Sequence, residues 1–506
     1  MISFNRTMAA QDQQVNYHSP QGDSRNPAET PPTPQNPVYP TVPPVPTTLP
    51  SVVPETDSSA AMAPPSGGRK FSLRMILIAV GAVVLVLVLF LLIKTFFGSR
   101  TPKTPPQVSL TYWSLWEDPQ IINSLISQFE SQNPGIKITY VPQSKQDYRD
   151  RLQSNLAKGT GPDIFRFHAT WVPMLKSNLA PIPGVFMSAA TFRETFYPVV
   201  SKELEYNGQL VGIPLLYDGL ALYINEDIFS GSGKTPPKTW DELRRTALEL
   251  TVRDTSGRIE QAGVAMGRTD NVDHWQDILA LMMLQNRANL GNPIGQFAED
   301  ALSYFTVFTK QDKVWDVTLP PSTTTFEAGK LAMYFGPSWR ISEIKSINPS
   351  LKFKVVPMPQ LPKNNPQEPD INWASFWAEG VFGKSQYQDQ AWKFLQFLSE
   401  KTSLETLSQG IAGTAGVGFV YPRMDMASLL MNDPLLGAYV QEAPTAQSWY
   451  LASDTNDGAS GINSKISAYF ADSVNGVVDQ GKTAKEVLAT TALGVAQVLA
   501  SYGVTK

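Results

Sequence analysis

VSLTYWSLWEDPQIINSLISQFESQNPGIKITYV, Val108 to Val141, carries the pattern that decides the fold. Val108–Trp113 alternates as a strand does. Pro119–Ser131 then places Ile121, Ile122, Leu125, Ile126 and Phe129 on one face of a helix, and Asn133-Pro134-Gly135 stops it. Ile136–Val141 is a second strand. The same alternation continues with a helix over Asp147–Lys158, the turn GTGP (Gly159–Pro162) and a strand over Asp163–Phe167. Strand, helix, strand, helix, strand in this order predicts a doubly wound α/β domain. In such sheets ligands bind at the carboxyl ends of the strands.

Upstream, residues 98–107 (GSRTPKTPPQ) read as a short linker, and Met75–Ile93 (MILIAVGAVVLVLVLFLLI) is apolar without a charge or a proline. As a helix, a run of that length spans about 28 Å, close to the ~30 Å hydrocarbon core of a bilayer. A membrane anchor over 71–97 is therefore expected, rather than a buried helix or the core of a cleaved signal peptide. Residues 1–70 are dominated by Pro, Thr, Gln, Ser and Asn and are expected to be a disordered, proline-rich tail. Arg69, Lys70 and Arg74 before the run nearly balance Lys94, Arg100 and Lys103 after it, so charge alone leaves the orientation open.

Composition removes several classes of chemistry. The 506 residues include no cysteine, which excludes disulfides, thiolate metal sites, cysteine nucleophiles and lipidation through a cysteine. A net charge of −4 with no basic block beyond the membrane flanks gives a nucleic-acid partner little support. The three histidines, His18, His168 and His274, have no ligand spacing, so no metal is expected. GSGKT (Gly231–Thr235) imitates the end of a phosphate loop, but Ile228 stands where its first glycine belongs and two prolines follow. Neither a GxSxG elbow nor an HExxH helix occurs. SDTNDGASGINS (Ser453–Ser464) has the flavour of a calcium loop, yet begins and ends with serine, and reads better as a solvated turn. Thr239-Trp240-Asp241-Glu242 is a capping box that opens a helix running through Leu250. No cofactor and no catalytic residue are expected.

The tryptophans point further. All eleven lie beyond the apolar run, many in loops that follow predicted strands. Trp113 and Trp116 end the first strand, Trp171 follows the third, and Trp339 follows a strand over Leu331–Phe335. Flat aromatic faces suit the apolar faces of sugar rings, and neighbouring Asp, Asn and Arg suit their hydroxyls. Trp240 and Trp392 sit on amphipathic helices and are expected in the core.

Five segments in fixed order carry a resemblance: the opening stretch, KGTGPDIFRF (Lys158–Phe167), GQLVGIPLLYDGLALYINEDIF with PPKTWDEL (Gly208–Leu243), FEAGKLAMYFGPSWR (Phe326–Arg340) and QAWKFLQFLS (Gln390–Ser399). Together they resemble the family 1 extracellular solute-binding proteins, the sugar-binding subunits of ABC importers akin to maltodextrin-binding protein. The resemblance covers Val108–Lys506. It implies a two-lobe periplasmic-binding-protein-like fold (type II) with a hinge, lobe 1 from residues 108–217 and 376–423 and lobe 2 from 218–375 and 424–506. It also implies a carbohydrate ligand, oligosaccharide or polyol, and ABC permease subunits as partners. Trp339 falls at the family's sugar-stacking position, Trp113 and Trp116 on its first cleft loop, Asp163 at its GxGPD acid, and Tyr217 and Asp218 at the first crossover. Trp171, Trp275, Trp373 and Trp377 complete the expected ligand-binding set. The chain departs from the family at Asn372–Trp377, where aromatics replace a glycine pair, and in lacking the lipid-attachment cysteine. The resemblance also orients the anchor, with the tail cytoplasmic and the large part extracytoplasmic. A sugar-sensing receptor without transport, and a surface carbohydrate-active enzyme, are the alternatives.

Overall fold

The computed structural model describes residues 72–96, 107–363, 365 and 367–504. The tail expected over 1–70 lies outside them, as does the linker except for its last residue. Residues 72–96 contribute one helix, Leu73–Phe96, of 24 residues. Along it Met75, Leu77, Ile78, Val80 and the apolar residues from Val83 to Leu91 stand exposed. Among the described residues no helix is long and apolar enough to cross a membrane, so the expected anchor rests on the sequence run and not on a span found in the structure.

From Val108 onward the expected alternation is present. The first helix, Pro119–Gln132, starts where the Asp118 side chain accepts from Gln120 N at 2.7 Å, and it buries Ile122, Leu125, Ile126 and Phe129. Each such side chain contributes about 1.5–3 kcal/mol by leaving water. Ile121, expected on the same face, stays only half covered at its margin. The second helix, Tyr148–Lys158, ends at Gly159, whose φ of 72° suits a residue without a Cβ.

Two sheets organise the chain. In the first, Trp377–Val381, Ile164–His168, Val108–Ser114 and Ile136–Pro142 lie side by side in that order. The last three are parallel and the returning Trp377–Val381 is antiparallel to Ile164–His168. In the second, the order is Phe353–Val356, Ala221–Asn225, Leu331–Gly336, Ile259–Val264 and Val252–Arg253. Ile259–Val264 and Leu331–Gly336 are parallel, and Ala221–Asn225 runs against Leu331–Gly336. Ile164–His168, Ala221–Asn225 and Leu331–Gly336 are buried at every position, as strands covered on both faces must be. The capping box at Thr239 and Glu242 forms as expected, opening the helix Trp240–Leu250.

Between the sheets the chain crosses in paired extended segments. Ile213 bridges Glu379, and Gly219 bridges Ala374, both antiparallel. At Gly219 a Cβ would stand 2.5 Å from Trp373 O, so the close approach of these two segments requires glycine. A third passage follows, in which Tyr217 bridges Val420 and Asn372-Trp373 pairs in parallel with Ala446-Gln447. The aromatic density around Asn372–Trp377 packs this crossing: Phe376 stacks on Tyr217 at 6.5 Å, and Trp373 Nε1 donates to Asp277 Oδ1 at 2.9 Å.

Candidate functional site

Parallel pairing brings the ends of Val108–Ser114 and Ile164–His168 to one edge of the first sheet, and Trp377, opposite His168, begins its strand there. Trp377 is the hub of this edge. Its ring meets Trp116 edge-on at 5.2 Å, Trp171 at 5.2 Å and His168 at 5.2 Å. Trp116 is 49% exposed and rests over Arg166, whose Cζ lies 5.2 Å from the ring centre. Arg166 is fully buried between two carboxylates, donating through Nε to Glu379 Oε1 at 2.7 Å and through Nη1 to Glu117 Oε1. One cation thus faces two buried acids. Burial, outweighing the pull of Arg166, pushes the Glu379 carboxyl up to about 7.

At the second sheet, Leu331–Gly336 delivers the turn Gly336-Pro337-Ser338-Trp339. Tyr223 OH donates to Pro337 O at 2.7 Å and Tyr439 OH to Gly336 O at 2.8 Å, which fixes the turn from below. Asp218 fixes it from the crossing side. Its Oδ1 accepts from Ser338 N at 2.8 Å and its Oδ2 from Ser338 Oγ at 3.0 Å. Burial raises the Asp218 carboxyl to about 6 against these hydrogen bonds, which lower it. Trp339 is left 44% exposed, with Arg340 Cζ 4.2 Å from its ring and His274 edge-on at 5.8 Å.

A short chain of hydrogen bonds joins the two edges. Ser375 N donates to Asp218 O at 3.1 Å, and Ser375 Oγ meets His168 Nε2 at 3.1 Å. His168 is buried, and burial lowers it to about 3, so it is a neutral ring at ordinary pH. The path from Trp339 through Ser338, Asp218, Ser375 and His168 to Trp377 therefore runs through the crossing segments.

The expected site residues separate by exposure. Among the described residues Trp116 and Trp339 are the two exposed tryptophans. Trp377, Trp171, Trp275 and Trp373 are buried and serve as packing: Trp171 is covered by Trp377 and Tyr148, and Trp373 is held by Asp277. Trp113 is half-buried against the core. Tyr217 is enclosed between Tyr197 and Phe376, and Asp218 supports the Trp339 turn. Asp163 is not brought to this edge. It precedes the strand Ile164–His168 at the opposite end, with Oδ2 accepting from Thr111 N at 2.9 Å and Oδ1 from Ser385 Oγ at 2.5 Å. Trp240 and Trp392 are in the core as expected.

Residues given no ligand role from the sequence stand near both tryptophans: Glu117 and Arg166 at one, His274 and Arg340 at the other, with Asp454 next to His274. The signal for Asp454 was the loop Ser453–Ser464. That loop is not a solvated turn. Asp457 is buried, accepting from Asn463 N at 2.7 Å and Ser464 Oγ at 2.6 Å, and no group of acids and histidines among the described residues is arranged to hold a metal. Two hollows lie away from both tryptophans. One of about 840 Å³ is lined by Gln285, Arg287, Gln360, Asp370 and Gln447, and one of about 340 Å³ by Lys176, Glu203, Trp449 and Tyr502.

Two α/β sheets that each present an exposed aromatic at an edge, joined by crossing segments, make a two-lobed α/β protein. The chain belongs to the bacterial extracellular solute-binding proteins, whose family model matches residues 124–417, more than half of its length. It is 28% identical over 305 residues to the sn-glycerol-3-phosphate-binding periplasmic protein UgpB of Escherichia coli O1:K1, covering 55% of this chain and 67% of that one. It is 22% identical over 340 residues to the maltotriose-binding protein of Pyrococcus abyssi, covering 64% and 68%. Among solved structures, the cyclic α-maltosyl-1,6-maltose binding protein of Arthrobacter globiformis superposes with a TM-score of 0.63 at 17% identity, covering 78% of this chain and all of that one. A solute-binding protein of Thermotoga lettingae bound to α-D-tagatose gives 0.60 at 21% identity, covering 78% and 100%. At these identities the solved structures establish the shared two-lobe fold.

Proposed function

We propose that the protein captures a carbohydrate between its two lobes and presents it to the permease of an ABC importer, without catalysis of its own. One observation carries the reading: of eleven tryptophans, the two left exposed stand one on each sheet, at edges linked through the crossing segments. Stacking on such faces, with hydrogen bonds replacing water, is the chemistry by which a sugar ring is held. The names of the relatives and of the solved neighbours favour the same ligand class. Glu117 and Glu379 are locked on Arg166 and Asp218 on Ser338, so these acids support the edges and are not poised for glycoside hydrolysis. Lobe 1 would comprise residues 108–217 and 376–423, and lobe 2 residues 218–375 and 424–506, closing about the crossing near Gly219 and Ala374.

The helix Leu73–Phe96 would tether this receptor beside its permease, with the proline-rich tail inside the cell and the two lobes outside. That reading rests on the sequence run Met75–Ile93, apolar without a charge or a proline. A thermal-shift screen of the full chain against a glycan panel tests the ligand class. A rise in melting temperature with a saccharide is expected, and stabilisation by amino acids or peptides alone would overturn it.

A further inference from the structure

The loop Ser453–Ser464 is fastened at both ends and across both lobes. At its start Ser453 N donates to Asp277 Oδ1 at 3.0 Å, and Ser453 Oγ bonds the other oxygen of the same carboxylate. At its end Asn463 Nδ2 donates to Thr170 Oγ1 at 2.7 Å, just beyond the strand Ile164–His168 of the first sheet. Arg149, at the start of the helix Tyr148–Lys158, holds Ser460 in between. Against this buried fastening, Asp454 stands out: its side chain is half exposed, and it adopts a φ of 52°. His274, its partner, has a φ of 60°. Two non-glycine residues in the left-handed region, facing each other beside an exposed tryptophan, are a costly arrangement that the surrounding fold has to enforce.

The hydrogen bonds around His274 aim that carboxylate. Arg340 Nε donates to His274 Nε2 at 3.1 Å, which places the ring proton on Nδ1. Nδ1 lies 2.9 Å from Ser453 Oγ and 3.1 Å from Asp454 Oδ2, and the same ring meets Trp339 edge-on, so His274 links the half-exposed Asp454 carboxylate to that tryptophan. Burial raises the Asp454 carboxyl, but contact with His274 and Ser453 and the charge of Arg340 outweigh it and hold the group at about 2. It is therefore an anion at neutral pH.

The cations at the two exposed tryptophans are already matched. Arg340, over Trp339, bonds Glu343 through Nη1 at 2.6 Å, and Arg166, under Trp116, lies between Glu117 and Glu379. A phosphate brought to Trp339 would meet the Asp454 carboxylate with its nearest cation neutralised, whereas a sugar hydroxyl would donate to it.

Resting on the carbohydrate reading above, we infer that Asp454 is the hydroxyl-accepting partner of Trp339, and that the pair selects a neutral saccharide over a phosphorylated polyol or sugar. This divides the two kinds of relative, siding with the maltotriose-binding protein against the glycerol-phosphate-binding one.

The test is calorimetric titration of the full chain in nanodiscs, which avoid sugar-headed detergents. The probes are neutral di- and trisaccharides of glucose, galactose and mannose, together with sn-glycerol 3-phosphate and glucose 6-phosphate. Asp454→Asn keeps the shape and suits a positive φ; Asp454→Gly suits it too and removes the side chain. Melting curves confirm that both variants fold. A neutral saccharide should bind the wild type at least tenfold more tightly than either phosphate, and both variants should lose about tenfold of that affinity. Unchanged saccharide affinity in both variants, with Trp339→Ala weakened, would overturn the role of Asp454 and leave the carbohydrate reading standing. Tighter binding of a phosphorylated probe would overturn the selection. Binding of none of the probes would remove the carbohydrate reading, and this inference with it.

Discussion

Trp171 and Trp339 differ in cover, and their substitutions should differ accordingly. Trp339→Ala removes a half-exposed ring and should shift the melting temperature little. Trp171→Ala opens a cavity beneath Trp377 and should cost about 3–5 kcal/mol in chemical denaturation. Equal losses would show that Trp339 is a packing residue after all. The sequence could place tryptophans in loops after strands, and did so correctly for Trp116 and Trp339. It could not say which rings are covered, because the cover comes from far along the chain: Trp377 lies over Trp171 only because its strand returns beside Ile164–His168. Asp163, expected from its motif on the ligand side, fastens the far end of its strand to Thr111 and Ser385, partners that no local pattern names.

At the scale of elements, the alternation from Val108 to Phe167 was legible because amphipathic periodicity and turn residues are local. The cluster of Glu117, Arg166 and Glu379 was not, since Arg166 and Glu379 are 213 positions apart and meet only through strand pairing. Removing the cation should expose its structural role. Arg166→Met leaves two buried carboxylates together and should lower stability by about 3–5 kcal/mol. A change below ~1 kcal/mol would mean that water reaches the cluster. Glu379 also carries a pH signature. Its folded carboxyl is raised to about 7 from an unfolded value of about 4.3. Its contribution to stability is thus complete below pH 4.3 and lost as pH rises through 7. Glu379→Gln should therefore gain stability relative to the wild type between pH 5 and pH 8, as melting temperatures would record; a constant difference across that range would contradict the assignment. At the crossing, Gly219→Ala forces a methyl against the Trp373 carbonyl and should destabilise by about 1–3 kcal/mol.

At the scale of the whole molecule, a ligand is proposed to bridge the two lobes, and a membrane tether is proposed from the apolar run Met75–Ile93. Protease added to intact cells should remove the lobes and spare the tail, whereas digestion only after lysis would place the lobes inside. The proposed tether rests on a run of apolar residues, while no local pattern identifies the sugar or the permease, because a permease surface and a sugar stereocentre are read by shape. The most direct measurement compares the affinity of the wild type, Trp116→Ala, Trp339→Ala and the double variant for the best-bound saccharide, with melting temperatures taken alongside. Each single change should weaken binding at least tenfold and the double change should abolish it, with folding intact. Unchanged affinity in Trp339→Ala would contradict the account.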